Sequence, residues 1–270
     1  MLDKEDYLEP ECALCGRPGE ERKIRPVPVD RILGKIREDE DRNDWAAVER
    51  HLRYWLAEAL QGGDRRGELT LRNELMGYYR KQGRRSEAYE HAEAALNLVE
   101  ALGLENTVTA GTTWVNAGTV RVAFGEPEEG LVFFRKARKN YEENLPPEDP
   151  RRGGLYNNMG LALTGSGAYG EAEEMFRLAL ACMEKQPQGE LEQAITWLNM
   201  ADALEARLGP EAAEAETEAC LSKAEELLNT ESLPRNGYYA FVCGKCAPVF
   251  GRYGWFITEA ELKRRAGGVS

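Results

Sequence analysis

The sequence predicts an all-α solenoid of antiparallel helix pairs, about twelve helices in all, and three observations carry that prediction. A pattern of aromatic, any residue, Asn, apolar, small recurs at spacings of 42 and 41 residues: Trp114-Val115-Asn116-Ala117-Gly118, Tyr156-Asn157-Asn158-Met159-Gly160 and Trp197-Leu198-Asn199-Met200-Ala201. Each of the first two is followed by a matching half, Gly125, Gly130, Phe134 and Ala137 and then Gly167, Ala172, Phe176 and Ala179, displaced by 42. Apolar residues stand at helical spacing on both sides of the Gly-containing break, as in EAEEMFRLALACMEK, so each period is a helical hairpin. Periods of this length mark stacked repeat architectures.

In chain order, residues 1–26 form an N-terminal extension holding the knuckle Cys12-Ala13-Leu14-Cys15-Gly16. A single repeat domain is expected over 27–267. Its first hairpin, 27–61, is degenerate: Ile32, Leu33 and Ile36 precede an acidic break, and Trp45, Val48, Leu52, Trp55 and Leu56 then share one side of a helix. The best repeats cover 68–229. Stepping back one period from Gly125 reaches Gly83, Ala88, Ala92 and Ala95, and stepping forward from Trp197 reaches Ala213, Cys220 and Leu221. Small residues at Gly118, Gly160, Ala201, Ala137 and Ala179 allow close helix crossing, with aromatics filling the space beside them. Prolines and glycines in LPPEDPRRGG separate hairpins. The last unit, 235–267, is again degenerate, with Pro248 and several glycines expected to distort it, as terminal repeats commonly are.

Of the 270 residues, 30% are charged and 42% hydrophobic, enough apolar material for a core. The net charge of −12 has the wrong sign for wrapping nucleic acid or lying on anionic lipid, so neutral or basic partners are expected. The opening MLDKEDYLEPEC carries acids where a signal peptide needs a basic and then an apolar stretch, and the expectation is a cytoplasmic protein.

The residue pattern resembles the tetratricopeptide repeat, in which an aromatic, Leu-Gly, Tyr, Ala, Phe and Ala stand at fixed offsets. Tyr156, Met159-Gly160, Ala172, Phe176 and Ala179 carry the match. The 42-residue unit with its proline-bearing link and Asn-Asn start is similar to the kinesin light chain subgroup. The resemblance implies a right-handed superhelix whose first helices line a concave groove, and function in that groove. It also aligns Tyr239, Val242, Cys243 and Cys246 with the aromatic, Leu, Gly and Tyr positions.

Asn116, Asn158 and Asn199, with Asn157 and Asn73 nearby, place a polar side chain repeatedly where a core does not require one. A carboxamide offers a donor and an acceptor side by side, matching the C=O and N–H of an extended peptide backbone. The resemblance implies such a ladder, and with it an adaptor or scaffold that holds a protein or peptide segment. Asn near a helix start also caps turns or bonds a neighbouring hairpin, and that reading stands beside the first. Thr112, Thr119 and Arg80 near the middle, and Asp202 and Glu205 toward the C-terminal end, complete the candidate groove; the change of sign suits a polar ligand of fixed direction. Alternative functions are a ligand-responsive sensor of the peptide-receptor kind and a zinc-stapled assembly protein, a homodimer among the forms it takes. Against a DNA-binding sensor, no helix-turn-helix precedes the repeats.

Cys12 and Cys15 have the spacing that aims two thiolates at one tetrahedral zinc, and Cys243 with Cys246 supplies the second pair if the ends of the chain approach. The competing reading makes Cys243, Cys246, Cys182 and Cys220 small apolar core residues. No enzyme is expected: there is no phosphate loop, zinc-protease or nucleophile-elbow motif, and His51 and His91, among charged neighbours, read as solvated helix positions.

Overall fold

The computed structural model describes residues 24–267, and among these the chain is all-α, with twelve helices and no strand. They are α1 (Val29–Asp41), α2 (Trp45–Gly62), α3 (Arg65–Lys81), α4 (Arg85–Ala101), α5 (Val108–Ala123), α6 (Pro127–Asn144), α7 (Pro150–Gly165), α8 (Tyr169–Met183), α9 (Glu190–Leu208), α10 (Pro210–Leu228), α11 (Gly237–Arg252) and α12 (Phe256–Gly267). Cys12 and Cys15, and nearly all of the expected 1–26 extension, lie outside the described residues. The described residues fall into two compact units, one up to Glu74 and one from Leu75, with the division inside α3.

In the first unit α1 packs against α2, burying Ile32 and Ile36 with Val48, Leu52 and Leu56. Asp44 caps α2 by accepting from Ala47 N at 2.9 Å, and Asp64 accepts from Gly67 N and Val27 N, each at 2.9 Å; such caps offset the unpaired amides of a first turn. Asp39 is buried and bonded to Arg42, to His51 Nδ1 at 2.8 Å and to Lys35 at 3.4 Å. Burial alone pushes its carboxyl up, but the hydrogen bonds from Arg42, His51 and Lys35 outweigh burial and hold it below the ordinary carboxylate value. A depressed carboxylate contributes stability above its unfolded value, about pH 4, and loses it as pH falls through the lower folded value. The stability gap between wild type and Asp39→Asn is therefore expected to shrink as pH falls below about 4. Denaturant titrations at several acidic pH values check this, and a gap independent of pH contradicts it.

The second unit is a stack of helix pairs. Hairpin partners α5–α6, α7–α8, α9–α10 and α11–α12 pack together, and α4–α5, α6–α7 and α8–α9 join successive pairs. The turn glycines Gly83, Gly125, Gly167 and Gly209 have φ of 69°, 85°, 79° and 83°, a left-handed conformation that other residues adopt only at a cost. Within the hairpins the repeated small and aromatic residues interlock. A Cβ on Gly118 would stand 2.6 Å from the Phe134 ring, and one on Gly160 would stand 2.4 Å from the Phe176 ring. Both rings are fully buried in the core shared by α6 to α9. α11 keeps its helical span with Pro248 at an exposed position inside it.

The two histidines depart from the solvated positions expected of them. His91 is buried and stacks on Tyr79 with ring centroids 5.4 Å apart. His51 is half-buried against Asp39.

Candidate functional site

The first helices α5, α7, α9 and α11 lie side by side, each touching the next. The candidate residues decorate this row. Asn116 and Thr119 on α5, Asn157 and Asn158 on α7, and Asn199 and Asp202 on α9 are all half-buried, while Thr112 is exposed.

The row has direct cross-links. Asn199 Nδ2 donates to Asn157 Oδ1 at 3.0 Å, joining α9 to α7. A carboxamide has two N–H donors and an acceptor oxygen, so Asn157 Nδ2 and Asn199 Oδ1 remain beyond that bond. Asn158 makes no side-chain hydrogen bond among the described residues, although it is half-buried. At the next junction Tyr253 Oη donates to Asp202 Oδ1 at 3.0 Å, and Arg252 pairs with the same carboxylate. Burial is the main cause holding the Asp202 carboxyl above its ordinary value, against the pull of Arg252 and Tyr253. Burial, with the neighbouring Glu205 and Asp202 carboxylates, also raises the Tyr253 phenol.

The other candidates have local employment. Thr119 donates to Val115 O at 2.8 Å, and Thr112 donates to Val108 O at 3.1 Å and sits 3.0 Å from Tyr141 Oη. Arg80 is half-buried with no ion pair among the described residues, and burial lowers its affinity for a proton. Asn73 belongs to the first unit, where its Nδ2 donates to Leu69 O at 2.9 Å. Arg252 and Tyr253 are not marked as site residues by the sequence. They reach Asp202 across 50 and 51 residues, and nothing in the period signals that pairing.

Cys243 and Cys246 lie in the core between α9, α11 and α12 with Tyr239, Phe250 and Leu262. Burial pushes the Cys246 thiol up to about 12, which opposes thiolate formation. Cys182 and Cys220 are buried too. Among the described residues no group of three or more His, Cys, Asp or Glu is placed to hold a metal. No helix among them is long and apolar enough to cross a membrane.

Residues 109–185, which hold the α5–α6 and α7–α8 hairpins with their glycines under Phe134 and Phe176, match the tetratricopeptide-repeat family model. The chain's fold is that of the kinesin light chain-like repeat proteins. The chain is similar to BtubC (BKLC) from P. vanneervenii at 19% identity and a TM-score of 0.61, covering 77% of this chain and 84% of that one. It is also similar to the putative kinesin light chain nearly identical TPR-like repeats of Podosopora anserina, at 16% identity and a TM-score of 0.54, covering 73% of this chain and 92% of that one. No curated protein sequence matches the chain.

Proposed function

We propose that this chain is a non-enzymatic protein-binding adaptor that holds an extended peptide segment along the row of first helices. The observation that carries the reading is the Asn157–Asn199 pair with Asn158 beside it. Two carboxamides orient each other across a repeat boundary, leaving one donor group and one acceptor beyond their mutual bond, and a third amide stands uncommitted. An extended backbone presents the complementary pattern of C=O and N–H groups, and hydrogen bonds to it give affinity with little dependence on sequence. The Asn157–Asn199 bond fixes rotamers in advance, which lowers the ordering cost of binding.

The test separates binding from folding. Asn158→Ala removes an amide with no bond of its own among the described residues, so the melting temperature is expected to hold while partner affinity falls by about 1 kcal/mol. Asn199→Ala breaks the cross-repeat bond and is expected to lower both. The chain is used as bait in its native lysate, the captured segment is synthesised, and its affinity is measured by calorimetry. Unchanged affinity in Asn158→Ala with a lowered melting temperature makes the Asn row structural and sinks the proposal.

A further inference from the structure

The Gly–Phe pairing that closes the two preceding hairpins, α5–α6 and α7–α8, fails in the α9–α10 hairpin. Gly118 lies under Phe134 and Gly160 under Phe176, but the same sequence spacing brings Ala201 to Thr217. A cavity of about 280 Å³ opens where the ring is missing, between α9, α10 and the turn from α11 to α12. Thr217 lines it and is 4% exposed, with a buried hydroxyl that has no hydrogen-bond partner. That is unusual in this chain, because Thr113, Thr119, Thr164 and Thr196 each donate to the carbonyl four residues back. A buried hydroxyl left unpaired is costly, and such a group calls for a partner.

The charges point the same way. One repeat earlier, Glu173 pairs with Arg177 on its own helix and with Arg207 of the following first helix at 3.0 Å, and that site is closed. Along the period Glu173 becomes Glu214 and Arg177 becomes Glu218, while the stretch of α11 matching Arg207 reads Pro248-Val249. Glu214 and Glu218 line the cavity with Glu205, and among the described residues none of the three is in an ion pair. Arg252 also lines it but is committed to Asp202. Trp255 supplies an aromatic wall, which favours a cation, while the Tyr253 ring already carries the Arg252 guanidinium 4.9 Å from its centre. The carboxylates do not converge on a metal-sized point, so the space suits a larger organic cation.

We infer that this cavity takes the guanidinium of an arginine side chain from a partner polypeptide, filling from outside the place that Arg207 fills from within one repeat earlier. The guanidinium lies against Glu214 and Glu218, and rotation about the Thr217 Cα–Cβ bond brings the buried hydroxyl round to accept one N–H. This inference stands independently of the Asn row.

The test follows the indole N–H signals of the full chain, labelled with ¹⁵N-tryptophan, with Trp255 assigned by Trp255→Phe. Nα-acetyl-arginine methylamide is titrated beside its neutral citrulline counterpart and beside agmatine. A saturable Trp255 shift with the arginine probe and none with citrulline is expected. Glu214→Gln/Glu218→Gln, which keeps the cavity, should weaken the arginine probe at least tenfold. Ala201→Gly/Thr217→Phe, which restores the earlier pairing and fills the space, should abolish its binding. No saturable shift, equal shifts with citrulline, or unchanged affinity in the double Gln variant overturns the site. Agmatine binding tenfold more tightly than the capped arginine overturns its assignment to a polypeptide.

Discussion

Phe176→Ala is expected to lower the stability of the second unit by about 3–5 kcal/mol. The ring is fully buried, touches the backbone of α7 through Gly160 and belongs to the core that joins α6 to α9. Removing it costs the transfer energy of the ring and leaves a cavity that cannot collapse, because two helices of a stack hold its walls apart. Its place in the middle of the stack adds to the effect, since in repeat proteins each interface supports its neighbours on both sides. Urea unfolding followed by far-ultraviolet circular dichroism measures the loss. A loss under about 1 kcal/mol means that the ring is not the keystone of its hairpin.

Gly160→Ala is expected to change sign with its background. In the wild type an added Cβ would come within 2.4 to 2.7 Å of three ring atoms of Phe176. The rigid, buried ring has no space into which to retreat, so the cost is that of overpacking, about 1–3 kcal/mol. In the Phe176→Ala background the clash disappears, and alanine's better helix propensity should stabilise by about 1 kcal/mol. The double-mutant cycle reads this coupling directly. Additive effects contradict the interlocked packing.

The sequence revealed the hairpins for the same reason that these two substitutions matter. A small residue under an aromatic leaves a fixed spacing that survives even when the rest of the helix drifts, and that spacing exposed the units around Gly118 and Gly160. His91 reads as solvated because Glu90 and Glu93, close to it in the chain, are charged. Its place three residues after Ala88 and four before Ala95 puts it on the buried stripe, which is where it lies. The Asn157–Asn199 bond was beyond reach: the repeat equates Asn158 with Asn199, and only the lateral offset between neighbouring hairpins brings Asn157 opposite instead. The ion pair between Arg252 and Asp202 is equally a product of stacking, made by a degenerate terminal unit that has left the period. The Thr217 cavity, by contrast, is visible in the sequence as the missing member of the Phe134, Phe176 series.

Backbone recognition by the Asn row is measured as the affinity of the captured segment for wild type and Asn158→Ala, with the segment also prepared carrying single backbone N-methyl groups. Recognition of the backbone by carboxamides predicts that Asn158→Ala weakens binding about fivefold at unchanged melting temperature, and that N-methylation at the contacted residue does the same while side-chain exchange does not. Binding that survives both Asn158→Ala and every N-methyl group, but fails when a side chain is exchanged, contradicts backbone recognition by the Asn row.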